Sequence, residues 1–324
     1  MKTVLKQIFF SILKILELPF SILTLISLIW LRILKKIQWK YGFTKLPLTS
    51  RLYKATKVLP VVDSYYDPLV NFSTTLKRAD LKLEFRLDEQ ISFLKQLKFS
   101  NELKQIPSTS TNNNKFYYQN GSFEFGDAEI LYSLVRLLKP KRIIEIGGGY
   151  STLMTLQALE ANRMELSSYE CDFKCIEPYE QKWLKELPIN LIRKRVEDIQ
   201  PEFFKHISEN DILFIDSSHI IRPQGDVLYE ILHILPLINK GVIVHFHHIF
   251  TPDHYPAEWV KSEFRLWNAQ YLLEAFLMFN DSFRILCSLN YLHKLHRPEL
   301  YQACPMLAAN KNSQPGSFWI KKIK

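Results

Sequence analysis

The sequence predicts an α/β protein built on a mostly parallel sheet of seven strands, with a helical segment ahead of it. Three observations carry that expectation. From Phe116 onward, short apolar runs alternate with helical or turn segments, which is the texture of a parallel sheet. One of these runs, RIIEI at 142–146, leads directly into three consecutive glycines, a third of the nine in the 324-residue chain. Two more strand-like runs, FRILCSL (283–289) and SFWIKKI (317–323), close the sequence after an apolar helix at 271–279.

The first element is set apart by charge. Residues 1–57 hold eleven Lys or Arg against one acid, Glu17, which leaves 31 basic and 32 acidic residues for the rest. The net charge of +9 therefore belongs to this segment, and the near-neutral body lacks the basic face that nucleic acid requires. Residues 8–34 are strongly apolar, but the uncharged part, Leu18 to Leu31, is shorter than the roughly 20 residues a perpendicular span needs. No small-residue cleavage site follows. Lys35, Lys36 and Lys40 on the C-terminal flank, with Trp30 and Trp39 suited to a headgroup boundary, point to association with an anionic membrane and a cytoplasmic catalytic domain. The competing expectation is an amphipathic helix packed on protein. The four cysteines fit neither a disulfide framework nor a zinc motif and read as reduced thiols.

Residues 58–115 read as a helical cap or linker. It has a turn at Tyr66-Asp67-Pro68, a helix at 87–97 with Ile91, Leu94 and Leu97 on one face, and a polar mobile loop at 107–114. The domain proper is expected over 116–324. Asp127 is placed to cap a helix that stops at Lys139-Pro140. The strands then follow as RIIEI, FKCIE (173–177), INLIRKRV (189–196), ILFID (212–216), GVIVHFH (241–247) and the closing two, which a long loop is expected to join.

Glycine after a strand and before a helix lets a ligand approach the backbone where free N–H groups point outward. Gly147-x-Gly149 lacks the third small residue of the dinucleotide fingerprint, because Thr152 stands there. Glu145 precedes the turn, giving E-x-G-x-G. That motif resembles the first motif of class I S-adenosylmethionine-dependent methyltransferases. Over roughly 116–324, segments such as NGSFEFGDAEILY (120–132), ILFIDSSHI (212–220) and WNAQYLLEAF (267–276) look like a bacterial small-molecule O-methyltransferase branch.

The resemblance implies a Rossmann-like sheet with helices on both faces and a C-terminal antiparallel pair. It further implies a cofactor site in which Gly147, Gly148, Gly149 and Ser151 approach the methionine part of S-adenosyl-L-methionine and Glu145 orients its ammonium group. Glu177 would take the ribose diol, with Glu170 and Asp172 as nearby rivals, and Glu197 and Asp198 would lie by the adenine.

Asp216 ends the fourth strand, His219 follows it, and His245, His247 and His248 close the fifth. Neighbouring fourth and fifth strands would bring Asp216 to His247 and His248 at the ligand-binding edge. Alternation puts His245 and His247 on one face and His248 on the other until the strand ends. Catechol O-methyltransferase-like enzymes hold Mg²⁺ with oxygen ligands at these strand ends, whereas imidazole suits a softer divalent ion. Three uses stay open: a histidine base without metal, a divalent metal on Asp216, His247 and His248, or histidines that merely satisfy a polar edge. Aromatic residues after the fifth strand read as core before substrate wall. The expected activity is methylation of a hydroxyl on a small molecule or saccharide. A nicotinamide-dependent oxidoreductase and a non-catalytic module on the same sheet are the alternatives; the sequence does not set the oligomeric state.

Overall fold

The computed structural model describes residues 2–42, 45–62, 67, 78, 80–110, 115–179 and 182–324. The chain divides into two units, 1–75 and 76–324. The expected turn at 66–68 and loop residues 111–114 lie largely outside the described residues.

In the first unit, α1 (Lys2–Tyr41) carries the apolar N-terminal run, and α2 (Pro47–Thr56) starts on a proline, whose missing N–H costs nothing there. Large apolar side chains of α1 lie open, Ile15 at 74%, Ile22 at 63% and Trp30 at 57% exposure. Among the described residues, no single helix is long and apolar enough to cross a membrane. The stretches Phe9–Glu17 and Phe20–Gln38, bent by 59° to one another, meet the length and composition test only as a pair.

The second unit opens with α3 (Leu87–Leu94) and α4 (Ser100–Leu103). Phe93, Leu94, Leu97, Leu103 and Ile106 from this stretch are buried in the same core cluster as Ile130, Leu134 and Ile143. Next come α5 (Asp127–Leu138) and α6 (Tyr150–Glu165). α7 (Asp226–Tyr229) runs into a wider π-turn at Glu230–Ile234, and α8 (Ala257–Lys261) and α9 (Ala269–Met278) follow.

The strands are β1 (Arg142–Ile146), β2 (Asp172–Ile176), β3 (Asn190–Ile192), β4 (Ile212–Ile215), β5 (Ile243–Phe246), β6 (Phe283–Ser288) and β7 (Phe318–Lys322). They form one sheet in the order β3-β2-β1-β4-β5-β7-β6. The first five are parallel, and β7 runs antiparallel to both β5 and β6. All seven expected strands are present in the expected arrangement. Their connection at the end is different: β6 and β7 are joined by three short helices, α10 (Leu289–Leu295), α11 (Arg297–Ala303) and α12 (Pro305–Ala309). Pro298 and Pro305 restart the chain after each break, so no long helical period shows in the sequence.

Alternation along the strands supplies two cores. Ile143, Phe173, Ile212, Phe214 and Trp319 face α5, α6 and α10–α12, while Ile144, Ile146, Leu213, Ile215 and Phe246 face Phe204, α7 and α9. Both faces are covered, as a parallel sheet requires, and each fully buried aliphatic side chain contributes about 1.5–3 kcal/mol. β2 lies on one side of β1 and β4 on the other, so the strand order reverses at β1. A crevice opens beyond the carboxyl ends at such a point.

Candidate active site

The register of β1 on β4 pairs Ile146 with Ile215, which brings the following residues, Gly147 and Asp216, together at the crevice. Asp216 N–H donates to Ile146 O (2.8 Å) and Gly147 N–H to Ile176 O (3.0 Å). The three glycines serve different ends. Gly147 has φ of 88°, and a Cβ there would fall 2.0 Å from the Asp216 carbonyl oxygen, so the fold itself demands glycine. At Gly148 a Cβ would meet Cys175 Sγ at 2.6 Å. Gly149 has extended backbone and nothing within 4 Å of its missing Cβ. Its bareness leaves open space at the start of α6.

A cleft of 370 Å³ lies in front of this turn, within the range of small-ligand sites. Its lining includes Gly147, Glu177, Glu197, Arg222 and Asp216. Glu177 spans the mouth, accepting from Gly148 N–H (3.2 Å) and Tyr179 N–H (2.6 Å). Glu197 lies 3.7 Å from Arg195 and 3.8 Å from Arg222, yet its buried Oε1 has no hydrogen-bond partner. An orphaned carboxylate oxygen beside a bare glycine turn suits a ligand carrying hydroxyl or amine donors.

Three expected cofactor contacts are placed elsewhere. Glu145 is 1% exposed and lies on the α5–α6 face of β1, where its carboxylate accepts from Ser151 Oγ and Thr152 Oγ1, both at 2.6 Å. Burial pushes its pKa up to about 7, against those two hydrogen bonds. Strand alternation turned it inward, so it stiffens the start of α6 instead of facing the cleft. Ser151, 3% exposed, is committed to Glu145 for the same reason. Asp198 sits at the surface by Arg195 and does not line the cleft, because the turn at Val196–Asp198 carries it past the rim.

A second cleft, 520 Å³, is lined by Glu124, Asp127, Asp216, His247, His248, Trp259 and Arg265, with Ser122, Ser313 and Gln314. Asp216 belongs to both clefts. Of the aromatic residues following β5, Phe250 and Tyr255 are core, whereas Trp259 lines this cleft.

Asp216 and three histidines form one charged cluster. His247 lies between two carboxylates, Nδ1 3.1 Å from Asp216 Oδ2 and Nε2 3.4 Å from Asp127 Oδ2. Burial lowers the His247 pKa, but the Asp216 charge and the Asp127 hydrogen bond prevail and lift it to about 10. It is an imidazolium at neutral pH. Burial would raise the Asp216 carboxyl, yet His247 and His219 hold it well below the usual carboxylate range. His219 Nε2 is 3.2 Å from Asp216 Oδ1. For His248, burial and the neighbouring His247 charge depress the pKa, so its ring stays neutral. His245 is core: its ring stacks on Phe214 at 3.9 Å and its Nε2 meets Ser317 Oγ at 2.9 Å.

His248 lies beyond the strand, so alternation no longer separates it from His247. β5 ends at Phe246, and His248 takes φ of 57°, which folds its ring onto His247 with centroids 3.7 Å apart. His219 is also left-handed, at φ 61°. Its carbonyl accepts from Asn268 N–H and Ala269 N–H, fastening the loop to the start of α9. Two histidines beside one carboxylate thus hold a sparsely populated backbone conformation.

These placements change the candidate metal set. Both ring nitrogens of His247 face carboxylates, Asp216 and Asp127. Among the described residues, the group whose ligand atoms lie within 4.8 Å of one another is Asp216, His219 and His248. Two imidazoles and a carboxylate fit a borderline divalent ion such as zinc, iron(II) or manganese(II) better than magnesium.

Asp127 was missed. Its place at the start of α5 reads as a helix cap, but Gly126 is the cap, held by Glu129. The Asp127 carboxylate instead accepts from Ser317 N–H (2.7 Å) and Gly316 N–H (3.1 Å) and holds His247. Only the fold brings residues 127, 247 and 316 together.

Residues 144–249, about a third of the chain, match a family described as a methyltransferase domain. An uncharacterized protein of Archaeoglobus fulgidus is 27% identical over 166 residues, which cover 46% of this chain and 73% of that protein. Among solved structures, the O-methyltransferase TomG from Streptomyces achromogenes, in complex with SAM, aligns with a TM-score of 0.38 and 16% identity, covering 78% of this chain and 94% of TomG. An O-methyltransferase from Bacillus cereus, in complex with SAH, aligns at 0.34 and 14% identity, covering 72% of this chain and 91% of that one. The matched span holds the glycine turn and the lining of the first cleft, and of the second cleft Asp216, His247 and His248.

Proposed function

We propose that this chain, whose residues 144–249 carry a methyltransferase domain, transfers a methyl group from S-adenosylmethionine to a hydroxyl of a small, polar molecule. One observation carries the reading: the cleft at the glycine turn and the cleft at the histidines share Asp216. Cofactor and acceptor bound in them meet at that residue. Bound S-adenosylmethionine supplies a sulfonium methyl open to in-line displacement, the C–S electron pair returning to sulfur as the C–O bond forms.

The protein's part is to position and deprotonate. Glu177 and Glu197 line the first cleft and would accept from ribose hydroxyls and adenine donors, and bare Gly149 leaves open space at the start of α6 for the rest of the cofactor. Asp216 stays ionised beside His219 and His247 and holds those rings in place. His248, whose ring stays neutral, accepts the hydrogen bond of the acceptor's O–H and takes that proton as oxygen attacks. A borderline divalent ion on Asp216, His219 and His248 would lower the pKa of that hydroxyl by Lewis acidity.

α1 presents exposed apolar side chains and a basic C-terminal flank, which suit the interface of an anionic, cytoplasm-facing membrane. Calorimetry with S-adenosylhomocysteine and NADH tests the core of the proposal. Binding of the first and not the second is expected, and NADH binding alone would overturn it. Turnover before and after chelation then separates the histidine base from the metal.

A further inference from the structure

The acceptor cleft holds a cation that neither proton transfer nor cofactor binding uses. Arg265 lines it beside Trp259. Its guanidinium lies 4.4 Å from the Trp259 ring centroid and 4.8 Å from that of Trp267. Nε pairs with Glu263 Oε2 at 2.6 Å, and the backbone N–H donates to Trp259 O at 2.9 Å. Indole rings near the guanidinium and a carboxylate on Nε restrict its orientation. Its terminal nitrogens have no ion pair or hydrogen bond among the described residues.

The other charges of the cleft are engaged. Glu124 Oε1 accepts from Gly121 N–H, while Asp127 and Asp216 flank His247. Arg265 is thus the one cation of the cleft not already held between carboxylates among the described residues, and its charge is felt at His248. A guanidinium with two free terminal nitrogens matches the paired oxygens of a carboxylate or phosphate, which a neutral polyol does not offer.

We propose that Arg265 is a specificity-determining residue that binds an anionic group, carboxylate or phosphate, on the methyl acceptor and so directs its hydroxyl toward Asp216 and His248. The inference rests on the methyltransferase reading and narrows its substrate class to hydroxyl-bearing anions. Acceptors bearing an amine in that position would meet like charge and be rejected.

The test is calorimetry on the full chain saturated with S-adenosylhomocysteine, titrated with glucuronate, glucose 6-phosphate, glucose and glucosamine up to tens of millimolar. One or both anions should bind at least tenfold more tightly than glucose and glucosamine; whichever anion prevails identifies the head group. Arg265→Gln should remove that preference while changing S-adenosylhomocysteine affinity less than twofold. Arg265→Lys, which keeps the charge without the fork, should lose most of the preference and controls for damage to the Trp259–Trp267 wall. Equal binding of glucose, no binding of either anion, or a preference that survives Arg265→Gln overturns the proposal. Failure of S-adenosylhomocysteine to bind the unaltered protein would instead sink the methyltransferase reading beneath it.

Discussion

Gly147 and Gly149 stand two residues apart and fail differently when given a side chain. Gly147→Ala would force a methyl group to within 2.0 Å of the Asp216 carbonyl at a left-handed φ, so the variant should lose several kcal/mol of stability and, with it, cofactor binding. Gly149→Ala meets nothing in the protein and should melt within a few degrees of the parent, yet bind S-adenosylhomocysteine at least tenfold more weakly. Thermal melts paired with calorimetry distinguish the two. Asp127 acts through its neighbour: Asp127→Asn should leave S-adenosylhomocysteine binding intact and lower turnover about tenfold or more, because His247 loses one of the charges that orient it. Buried carboxyls add a pH signature. Burial lifts both Glu145 and Glu129 to about 7 from an ordinary 4.5. Each holds its proton to higher pH in the folded state than in the unfolded chain, so the stabilising contribution is full below pH 4.5 and lost as pH rises through about 7. Denaturant unfolding from pH 4.5 to 7.5 should show that decline, and Glu145→Gln should remove its own share, leaving that of Glu129.

Among elements, the helical insertion between β6 and β7 packs on the core beside the sheet and is tied to α5 by one acid. Glu129, in the first turn of α5, accepts from Gly126, Met306 and Leu307 N–H at 2.8–2.9 Å, so it caps α5 and α12 together. Glu129→Ala strands three buried donors and should cost about 2–4 kcal/mol in denaturant titrations, whereas Glu129→Gln should cost less. Strand alternation was legible in the sequence and located all seven strands. Alternation also explains why Glu145 faces α6 with Ile143, a consequence the motif resemblance overrode. It says nothing of His248, which lies beyond the end of β5, where a period of two no longer governs. α10–α12 were illegible for a related reason: each is too short to display a helical period.

The scale of the whole molecule separates a basic, apolar N-terminus from a near-neutral catalytic unit. If α1 lies in an anionic interface, full-length protein should float with vesicles containing phosphatidylserine, less with purely zwitterionic ones, and salt should weaken the difference. Equal recovery on both vesicle types would remove the electrostatic part of that proposal. By itself, the sequence determined the sheet, the glycine turn and the acid–histidine composition of the site. These follow from local patterns, namely apolar period, turn chemistry and residue type. The tertiary structure alone decided that His247 sits between Asp216 and Asp127, that His219 and His248 come together at Asp216, and that Asp127 and Arg265 join the second cleft. Charge state and cleft membership depend on distances between residues remote in the chain, and no local pattern encodes a distance across a fold.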